Sequence, residues 1–207
     1  MERRTLEPPK DENGKSMLTE EYIAEVCEQN GGYATPYLND ILYLHFKGFR
    51  KIQCLEKYKH IKCLWLESNG LQKIEGLENN KKLRMIFLQQ NMIRDIENVC
   101  HLTKLVKLNL SNNLITKITG LKGLVELQTL QLNHNNISST ADCEELKELP
   151  SLSQLELKNN KLEDKDEIVP FFSQLKGLHA LYLQNNPAIR VVTQYRKTLV
   201  AALPQLN

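Results

Sequence analysis

The chain has 207 residues, of which 41% are hydrophobic, 25% charged and 6% aromatic. This composition is typical of a folded protein with a continuous apolar core, and no run approaches the roughly 18 apolar residues of a membrane-spanning helix. Residues 1–15 lack the apolar segment of a secretory signal peptide, and the five cysteines form no C-x-x-C pair. We therefore expect reduced thiols in the cytosol or nucleus, and we exclude disulfide scaffolds and zinc ribbons.

The net charge of +2 is divided unevenly along the chain. Residues 1–37 hold four basic and eight acidic side chains, a net charge of −4, which leaves +6 on residues 38–207. Proteins that bind nucleic acids concentrate more positive charge on one face, because they neutralise phosphates. We therefore expect no nucleic-acid partner.

A repeat of 22 to 26 residues organises most of the sequence. Six segments share the pattern apolar-x-x-apolar-x-Leu-x-x-Asn, and they begin at Ile61, Leu83, Leu105, Leu127, Leu152 and Leu178. Their asparagines are Asn69, Asn91, Asn113, Asn135, Asn160 and Asn186. A degenerate seventh copy precedes them, with Lys47 in place of the asparagine. Six matches in one register identify the leucine-rich repeat.

The spacing within each repeat predicts an α/β fold. In Leu108-Asn109-Leu110 the leucines alternate with a polar residue, which is the period of a short strand with one buried face. The asparagine that ends each pattern is expected to turn the chain and bond its backbone, so that stacked copies form an asparagine ladder. Stacking gives a leucine-rich-repeat solenoid with a curved parallel sheet on the concave face, short helical turns on the convex face, and helical N- and C-terminal caps.

The chain is expected to divide into four segments. These are a disordered tail (1–17), an N-terminal capping helix and linker (18–37), about seven leucine-rich repeats (38–186) and a C-terminal cap (187–207). Thr19 is a favourable N-cap for the first helix, and Gly31-Gly32 is a stop signal. The C-terminal cap stops earlier than such caps usually do, so we expect a truncated cap from a longer protein.

Signatures of catalysis and metal binding are missing from the sequence. It has no phosphate-binding loop, dinucleotide fingerprint, H-E-x-x-H or G-x-S-x-G motif, and its five histidines are scattered. His45 beside Cys63 on the next strand is a conceivable nucleophile pair, but no orienting acid or oxyanion site accompanies it. The acidic run 163–167 is better explained as the start of a solvated convex helix than as a cation site. We predict no enzyme, no cofactor and no metal.

The concave face of the sheet is the informative surface. Strands lie about 4.8 Å apart, so the middle residues Tyr43, Trp65 and Phe87 of three successive strands are expected to form an exposed aromatic ladder. Met85 extends this ladder into an apolar patch. We predict that the patch anchors a protein partner. The predicted polar rim of the site consists of His45, Glu67 and Gln89.

Two other roles remain open for these aromatic residues. In the first, the aromatic row has a purely structural role: it stabilises the sheet by cross-strand contact, at roughly 0.2–1 kcal/mol a pair, or is covered by the N-terminal segment of the chain. Aromatic rings on a sheet also stack on the bases of single-stranded RNA. On this face only Lys107 and Lys158 could meet the phosphates.

Particular strings of residues are more selective than the repeat period. They are Tyr37-Leu38-Asn39-Asp40, the run Leu-Tyr-Leu-His-Phe-Lys-Gly-Phe at 42–49, Cys63-Leu64-Trp65-Leu66, and Tyr195-Arg196-Lys197-Thr198 in the cap. These strings resemble the dynein axonemal assembly factor 1 family, from about residue 22 to the end. The resemblance implies a non-catalytic cytoplasmic factor, associated with cilia and flagella, that is required to preassemble axonemal dynein arms. It implies axonemal dynein chains or dynein-assembly co-chaperones as partners.

Two further functions share the same repeat. One is a structural subunit of the axoneme, similar to the leucine-rich-repeat light chain of a dynein motor. The other is a nuclear protein of splicing or phosphatase regulation. Cell fractionation distinguishes the three functions. An assembly factor stays soluble in the cytoplasm, a structural subunit sediments with axonemes, and a protein of splicing or phosphatase regulation is enriched in nuclei. For the chain itself we expect a monomer with no membrane association.

Overall fold

Alternating leucines produce seven short strands that pair in chain order. The computed structural model describes residues 6–206. The strands are β1 (Ile41–Tyr43), β2 (Cys63–Trp65), β3 (Met85–Phe87), β4 (Lys107–Asn109), β5 (Thr129–Gln131), β6 (Gln154–Glu156) and β7 (Ala180–Tyr182). The helices are α1 (Glu20–Gln29), α2 (Lys165–Phe172), α3 (Pro187–Val191) and α4 (Tyr195–Ala202). All neighbouring strands are parallel and form one sheet in the order β1 to β7. The predicted leucine-rich-repeat fold is confirmed.

The core is a set of stacked columns, one for each apolar position of the repeat. The strand-centre residues Leu64, Ile86 and Leu108 stand opposite one another in the sheet and have no exposed surface. Burying one such side chain stabilises the fold by about 1.5–3 kcal/mol. Since each residue is covered by its counterparts in the next repeats, stacking rather than any single repeat supplies the core.

The convex side is more helical in the last repeats than in the first. The segments that return from β1 to β5 consist of turns and bends. A 3₁₀ helix, Ala141–Glu148, lies between β5 and β6, and α2 lies between β6 and β7. These two connections belong to the longest repeats in the sequence, and the extra residues give the chain room to form helical turns.

Helix α1 covers the first repeat. The Thr19 hydroxyl accepts a hydrogen bond from the Tyr22 backbone N–H at 3.2 Å and so caps the helix, as predicted. Tyr22 and Ile23 are buried, and the Tyr22 ring meets Phe49 edge-on with centroids 6.0 Å apart. After the helix, Gly31 has a φ of +80°, a backbone conformation that glycine adopts readily.

The structure differs from the predicted disordered tail over residues 6–17. The Asp11 carboxylate accepts hydrogen bonds from the Asn13 and Lys15 N–H groups and holds a tight turn. Leu6 packs against the core, and its carbonyl accepts a hydrogen bond from the Lys47 ammonium group at 3.0 Å. Contacts with the folded repeats therefore order a segment whose composition alone favours disorder. The rest of the predicted tail, residues 1–5, lies outside the described residues.

Helices α3 and α4 follow the last strand, within the segment predicted as the C-terminal cap. Leu199 and Leu203 are buried, and both α3 and α4 contact α2. Residue 207 lies outside the described part of the chain. Among residues 6–206, no helix has the length and apolar character needed to span a membrane.

Candidate functional site on the concave face

The register of the sheet places the three aromatic residues of the predicted ladder side by side. Tyr43 stands opposite Trp65, and Trp65 stands opposite Phe87. The rings of Tyr43 and Trp65 have centroids 6.2 Å apart and planes 25° apart. Those of Trp65 and Phe87 are closer, at 3.9 Å and 14°. The three rings thus form one stacked row, which we call the aromatic ladder.

The aromatic ladder is less exposed than the sequence suggested. Only 9% of Phe87 is exposed, while Tyr43 and Trp65 are half-buried. Stacking explains the difference, because each ring covers a face of its neighbour, and the Lys107 ammonium group lies 5.4 Å from the Phe87 centroid on the far side. Met85, beside Phe87 on the same strand, keeps 38% of its surface exposed. The accessible part of the site is therefore Tyr43, Trp65 and Met85.

The predicted polar rim contains buried polar atoms that have no hydrogen-bond partner among the described residues. They are His45 Nδ1, Glu67 Oε2 and Gln89 Oε1. The three residues follow β1, β2 and β3 at equivalent positions, so they form a second row beside the aromatic ladder. A buried polar atom without a partner costs about 1–3 kcal/mol, which a bound molecule that supplies the missing bonds would recover. The sequence indicated these residues but not their unpaired atoms.

Four polar side chains on or just after β5 and β6 bond to one another, although Gln184 Oε1, just after β7, has no hydrogen-bond partner among the described residues. The Glu156 carboxylate accepts hydrogen bonds from Gln131 and Gln154, both at 2.8 Å, and from Asn133 at 2.5 Å. Burial raises the pKa of this carboxyl, but the three hydrogen bonds and the charge of Lys158 outweigh burial, and its pKa lies below the usual value. With its hydrogen bonds satisfied, this carboxylate has less to gain from a partner than the rim of the first three repeats.

The six asparagines of the predicted ladder bond the backbone inside the stack. In Asn113, the Nδ2 group donates to the Leu88 and Leu110 carbonyls at 2.9 and 3.0 Å, and Oδ1 accepts from the Ile93 N–H at 3.0 Å. Corresponding bonds from Nδ2 to carbonyls of the same and the preceding repeat are made by Asn69, Asn91, Asn135, Asn160 and Asn186. These asparagines hold one repeat to the next and face the interior rather than a partner.

The residues considered for catalysis are not brought together. Cys63 stands opposite Ile41 in the sheet, whereas His45 lies beyond the end of β1. Burial raises the pKa of the Cys63 thiol, which disfavours the reactive thiolate. No group of three or more His, Cys, Asp or Glu side chains within residues 6–206 has the arrangement of a metal site.

The acidic run at 163–167 has a structural place in the fold. Asp164 immediately precedes α2, and its carboxylate accepts hydrogen bonds from the backbone N–H and hydroxyl of Thr140, both at 2.6 Å. Burial raises the pKa of this carboxyl, but the bonds from Thr140 outweigh it, and the pKa is lowered. Asp164 therefore ties α2 to the preceding repeat, and the run begins a convex helix as predicted.

Comparison with known proteins identifies the family. The leucine-rich repeat family model matches residues 96–207. The chain belongs to the leucine-rich repeat family. Among solved structures it resembles an internalin, InlF of Listeria monocytogenes, with a TM-score of 0.70 and 24% identity over 93% of this chain and 50% of the other. That likeness concerns the fold alone.

Two curated relatives are similar to almost the whole chain. The leucine-rich repeat-containing protein ODA7 of Chlamydomonas reinhardtii is 56% identical over 190 residues, which are 92% of this chain and 44% of the relative. A dynein axonemal assembly factor 1 homolog of Drosophila melanogaster is 49% identical over 200 residues, which are 96% of this chain and 13% of the relative. The resemblance indicated by the sequence is confirmed, although the chain spans less than half the length of either relative.

Proposed function

We propose that this chain is a non-catalytic, protein-binding scaffold that acts in the cytoplasmic preassembly of axonemal dynein arms. The assembly role is supported by the similarity to the Drosophila melanogaster relative, a dynein axonemal assembly factor 1 homolog. The binding role follows from the concave face, where the aromatic ladder adjoins a row of unpaired polar atoms. Axonemal dynein chains, or the co-chaperones that assemble them, are the proposed partners.

The aromatic ladder supplies the apolar half of the proposed binding surface. Binding energy at protein interfaces is concentrated in a few aromatic and other large side chains near the centre. Trp65 lies at the centre of the ladder, and its stacking on Phe87 holds the indole in one orientation before a partner arrives. A side chain held in place in the free protein loses little conformational entropy on binding.

The rim of His45, Glu67 and Gln89 supplies the polar half. Glu67 Oε2 and Gln89 Oε1 are acceptors without a donor, so they favour a partner that presents N–H or O–H groups. The combination of an apolar anchor with neighbouring unpaired acceptors is the single observation that carries the binding assignment. A ladder that only stabilised the sheet would require no unpaired acceptors beside it.

The experiment compares the wild-type chain with Trp65→Ala as bait for dynein-assembly partners. Tagged chains are introduced into ciliated cells, and axonemal dynein heavy and intermediate chains are quantified by mass spectrometry after affinity purification. We expect the substitution to reduce recovery by roughly tenfold or more, because it removes the central anchor. Unchanged recovery of the dynein chains would contradict the concave-face assignment.

A matched control lies on the same face. Tyr182 is a half-buried aromatic residue of β7, covered by the Lys158 ammonium group at 4.5 Å from its ring centroid. Tyr182→Ala also truncates one aromatic side chain of the sheet, but it is four strands away from Phe87. Among the described residues, its neighbourhood holds a single unpaired acceptor, Gln184 Oε1, in place of the row formed by His45, Glu67 and Gln89. We expect this variant to recover dynein chains as the wild type does, and thermal melting of all three chains establishes that they are folded.

A further inference from the structure

The first strand of the sheet has an unoccupied edge. Toward β2, the Asp40 carbonyl accepts from the Cys63 N–H at 3.1 Å, and the Leu44 N–H donates to the Trp65 carbonyl at 2.8 Å. In a parallel pair, the backbone groups of alternate residues point toward the same neighbour. The backbone N–H and C=O groups of Ile41 and Tyr43 therefore point away from β2. No hydrogen bond outside the sheet joins them to another residue within 6–206.

A cavity of about 290 Å³ lies along this edge, between β1 and the C-terminal half of α1. Residues that line it include Val26, Gly32, Tyr33, Leu38, Ile41 and Tyr43. Tyr33, Leu38 and Ile41 are 58%, 49% and 43% exposed, so three large apolar side chains are accessible at this cavity. The cavity also has polar lining from Asn30, Asn39 and Asp40, so it is partly apolar. An unpaired strand edge beside a pocket that can take an apolar side chain is the combination that extended peptides use when they add a strand to a sheet.

The surroundings of the edge are acidic. Residues 18–46 hold five acidic side chains and no lysine or arginine. Glu20 and Asp40 form ion pairs with Lys57 and Lys62. Glu25 and Glu28, on the half of α1 that borders the cavity, are exposed and form no ion pair with another described residue.

We propose that β1 accepts an extended, basic segment of a partner protein as an eighth strand of the sheet, with one apolar side chain of that segment in the cavity. The open backbone groups of Ile41 and Tyr43 require a main-chain partner, and Glu25 and Glu28 favour a positively charged one. A second copy of this chain fits poorly, because pairing two β1 edges would bring two acidic caps together. The inference does not depend on the dynein-arm assignment.

The test uses the purified chain and a capped peptide of about eight residues in which lysine and valine alternate. Binding is measured by isothermal titration calorimetry near physiological salt, and hydrogen exchange of the Ile41 and Tyr43 amides is followed by NMR. We expect binding together with a roughly tenfold or greater slowing of exchange at these two amides. A peptide methylated at alternate backbone nitrogens keeps its side chains but loses the donors, and we expect its affinity to fall by roughly tenfold or more.

The charge requirement is tested with a double substitution, Glu25→Lys with Glu28→Lys. Lysines near the C-terminal end of α1 are compatible with the helix dipole, so the cap is expected to stay folded. We expect the peptide affinity to fall by roughly tenfold or more. The control, Glu126→Lys with Glu148→Lys, changes the net charge equally at two exposed positions away from the edge and should leave the affinity within about twofold.

Three results would overturn the proposal. The peptide fails to bind, or the methylated peptide binds as tightly as its parent, or both double variants weaken binding equally. A chain without residues 1–5 provides a further measurement. If that deletion raises the peptide affinity roughly tenfold, the occupant is this chain's own first segment and not a partner. An unchanged affinity supports the proposal.

Discussion

The indole ring of Trp65 lies 3.9 Å from the ring of Phe87, centroid to centroid, with the two planes 14° apart. This contact buries Phe87 at the end of the aromatic ladder, where the face turns polar toward β4, and it fixes the orientation of the chain's only tryptophan. The fluorescence of Trp65 therefore reports directly on the centre of the proposed binding surface.

Phe87→Ala is expected to expose Trp65 and to weaken the fold. Removing the stacked ring opens one face of the indole to water, so the emission maximum should move to longer wavelength. The loss of a buried phenyl group should lower the free energy of unfolding by about 3 kcal/mol, the lower end for such truncations, because the ring lies on a sheet face. Urea unfolding followed by fluorescence measures both effects. Tyr182→Ala should leave the emission unchanged, and a wild-type spectrum from Phe87→Ala would refute the stacked arrangement.

Each asparagine of the ladder should contribute to the stability of the fold. Asn113→Ala removes the two short bonds that Nδ2 donates, together with a longer one to the Ser111 carbonyl at 3.4 Å, and leaves the buried Ile93 N–H without its acceptor. At about 1 kcal/mol for each of the three shorter bonds, the free energy of unfolding should fall by about 3 kcal/mol. Asn79→Ala, at an exposed turn position, is the control and should change stability by less than about 0.5 kcal/mol. Equal effects in denaturant unfolding would contradict the role of the ladder.

Much of the fold could be predicted because the repeat fixes register. The regular spacing of the asparagines from Asn69 to Asn186 predicts which strands are neighbours and how they are aligned. The alternation within Leu108-Asn109-Leu110 predicts which side chains face the core. The same counting placed Tyr43, Trp65 and Phe87 in one row. These features depend on distances along the chain, which a sequence records directly.

Features that depend on contacts between side chains and backbone could not be predicted in this way. The residue immediately before each of the six ladder asparagines has positive φ, and so does the residue before Lys47, which occupies the same place in the first repeat. Only some of these seven residues are of types that favour this conformation. They are Phe46, Ser68, Gln90, Asn112, His134, Asn159 and Asn185. The stack imposes this conformation and overrides the local preference. The burial of Phe87 and the ordering of residues 6–17 likewise result from packing that the spacing of residues does not encode.

A second position with positive φ shows how the sequence adapts to such a constraint. Gly76, Asn98 and Gly120 occupy equivalent places in three repeats, with φ of 70°, 57° and 74°. A Cβ added to Gly120 would lie 2.2 Å from the Ile96 carbonyl oxygen. At Asn98 the side chain instead donates a hydrogen bond to the Ile74 carbonyl at 2.8 Å.

Gly120→Ala should therefore be far more destabilising than Gly14→Ala. Both glycines have φ above 70°, so both substitutions carry the strain of a left-handed alanine, about 1 kcal/mol. Only Gly120 adds a collision with backbone, and its total cost should reach about 3 kcal/mol. Gly120→Asn should recover part of this loss by bonding the Ile96 carbonyl as Asn98 bonds Ile74. Thermal unfolding of the three variants tests the ranking, and equal losses at Gly14 and Gly120 would contradict it.

The hydrogen bonds to Glu156 predict a specific dependence of stability on pH. Burial alone would raise the pKa of this carboxyl, but bonds from Gln131, Asn133 and Gln154 hold it below the ordinary value of 4.5. The ionised group therefore stabilises the folded state at pH values above 4.5, and that contribution is lost as pH falls through the lower folded pKa. Glu156→Gln should lower the free energy of unfolding by about 1 kcal/mol at neutral pH, since the site is half-exposed. The difference from wild type should shrink in acid.

The measurement is urea unfolding of wild type and Glu156→Gln at a series of pH values from neutral to acid. Glu126→Gln provides the control, because Glu126 is exposed and forms no hydrogen bond or ion pair with another described residue. Its difference from wild type should stay near zero throughout. If the difference in free energy of unfolding between wild type and Glu156→Gln grows as the pH falls, the folded protein favours the protonated carboxyl. That result would contradict the prediction, and the donors and acceptors of the polar network around Glu156 would have to be reassigned.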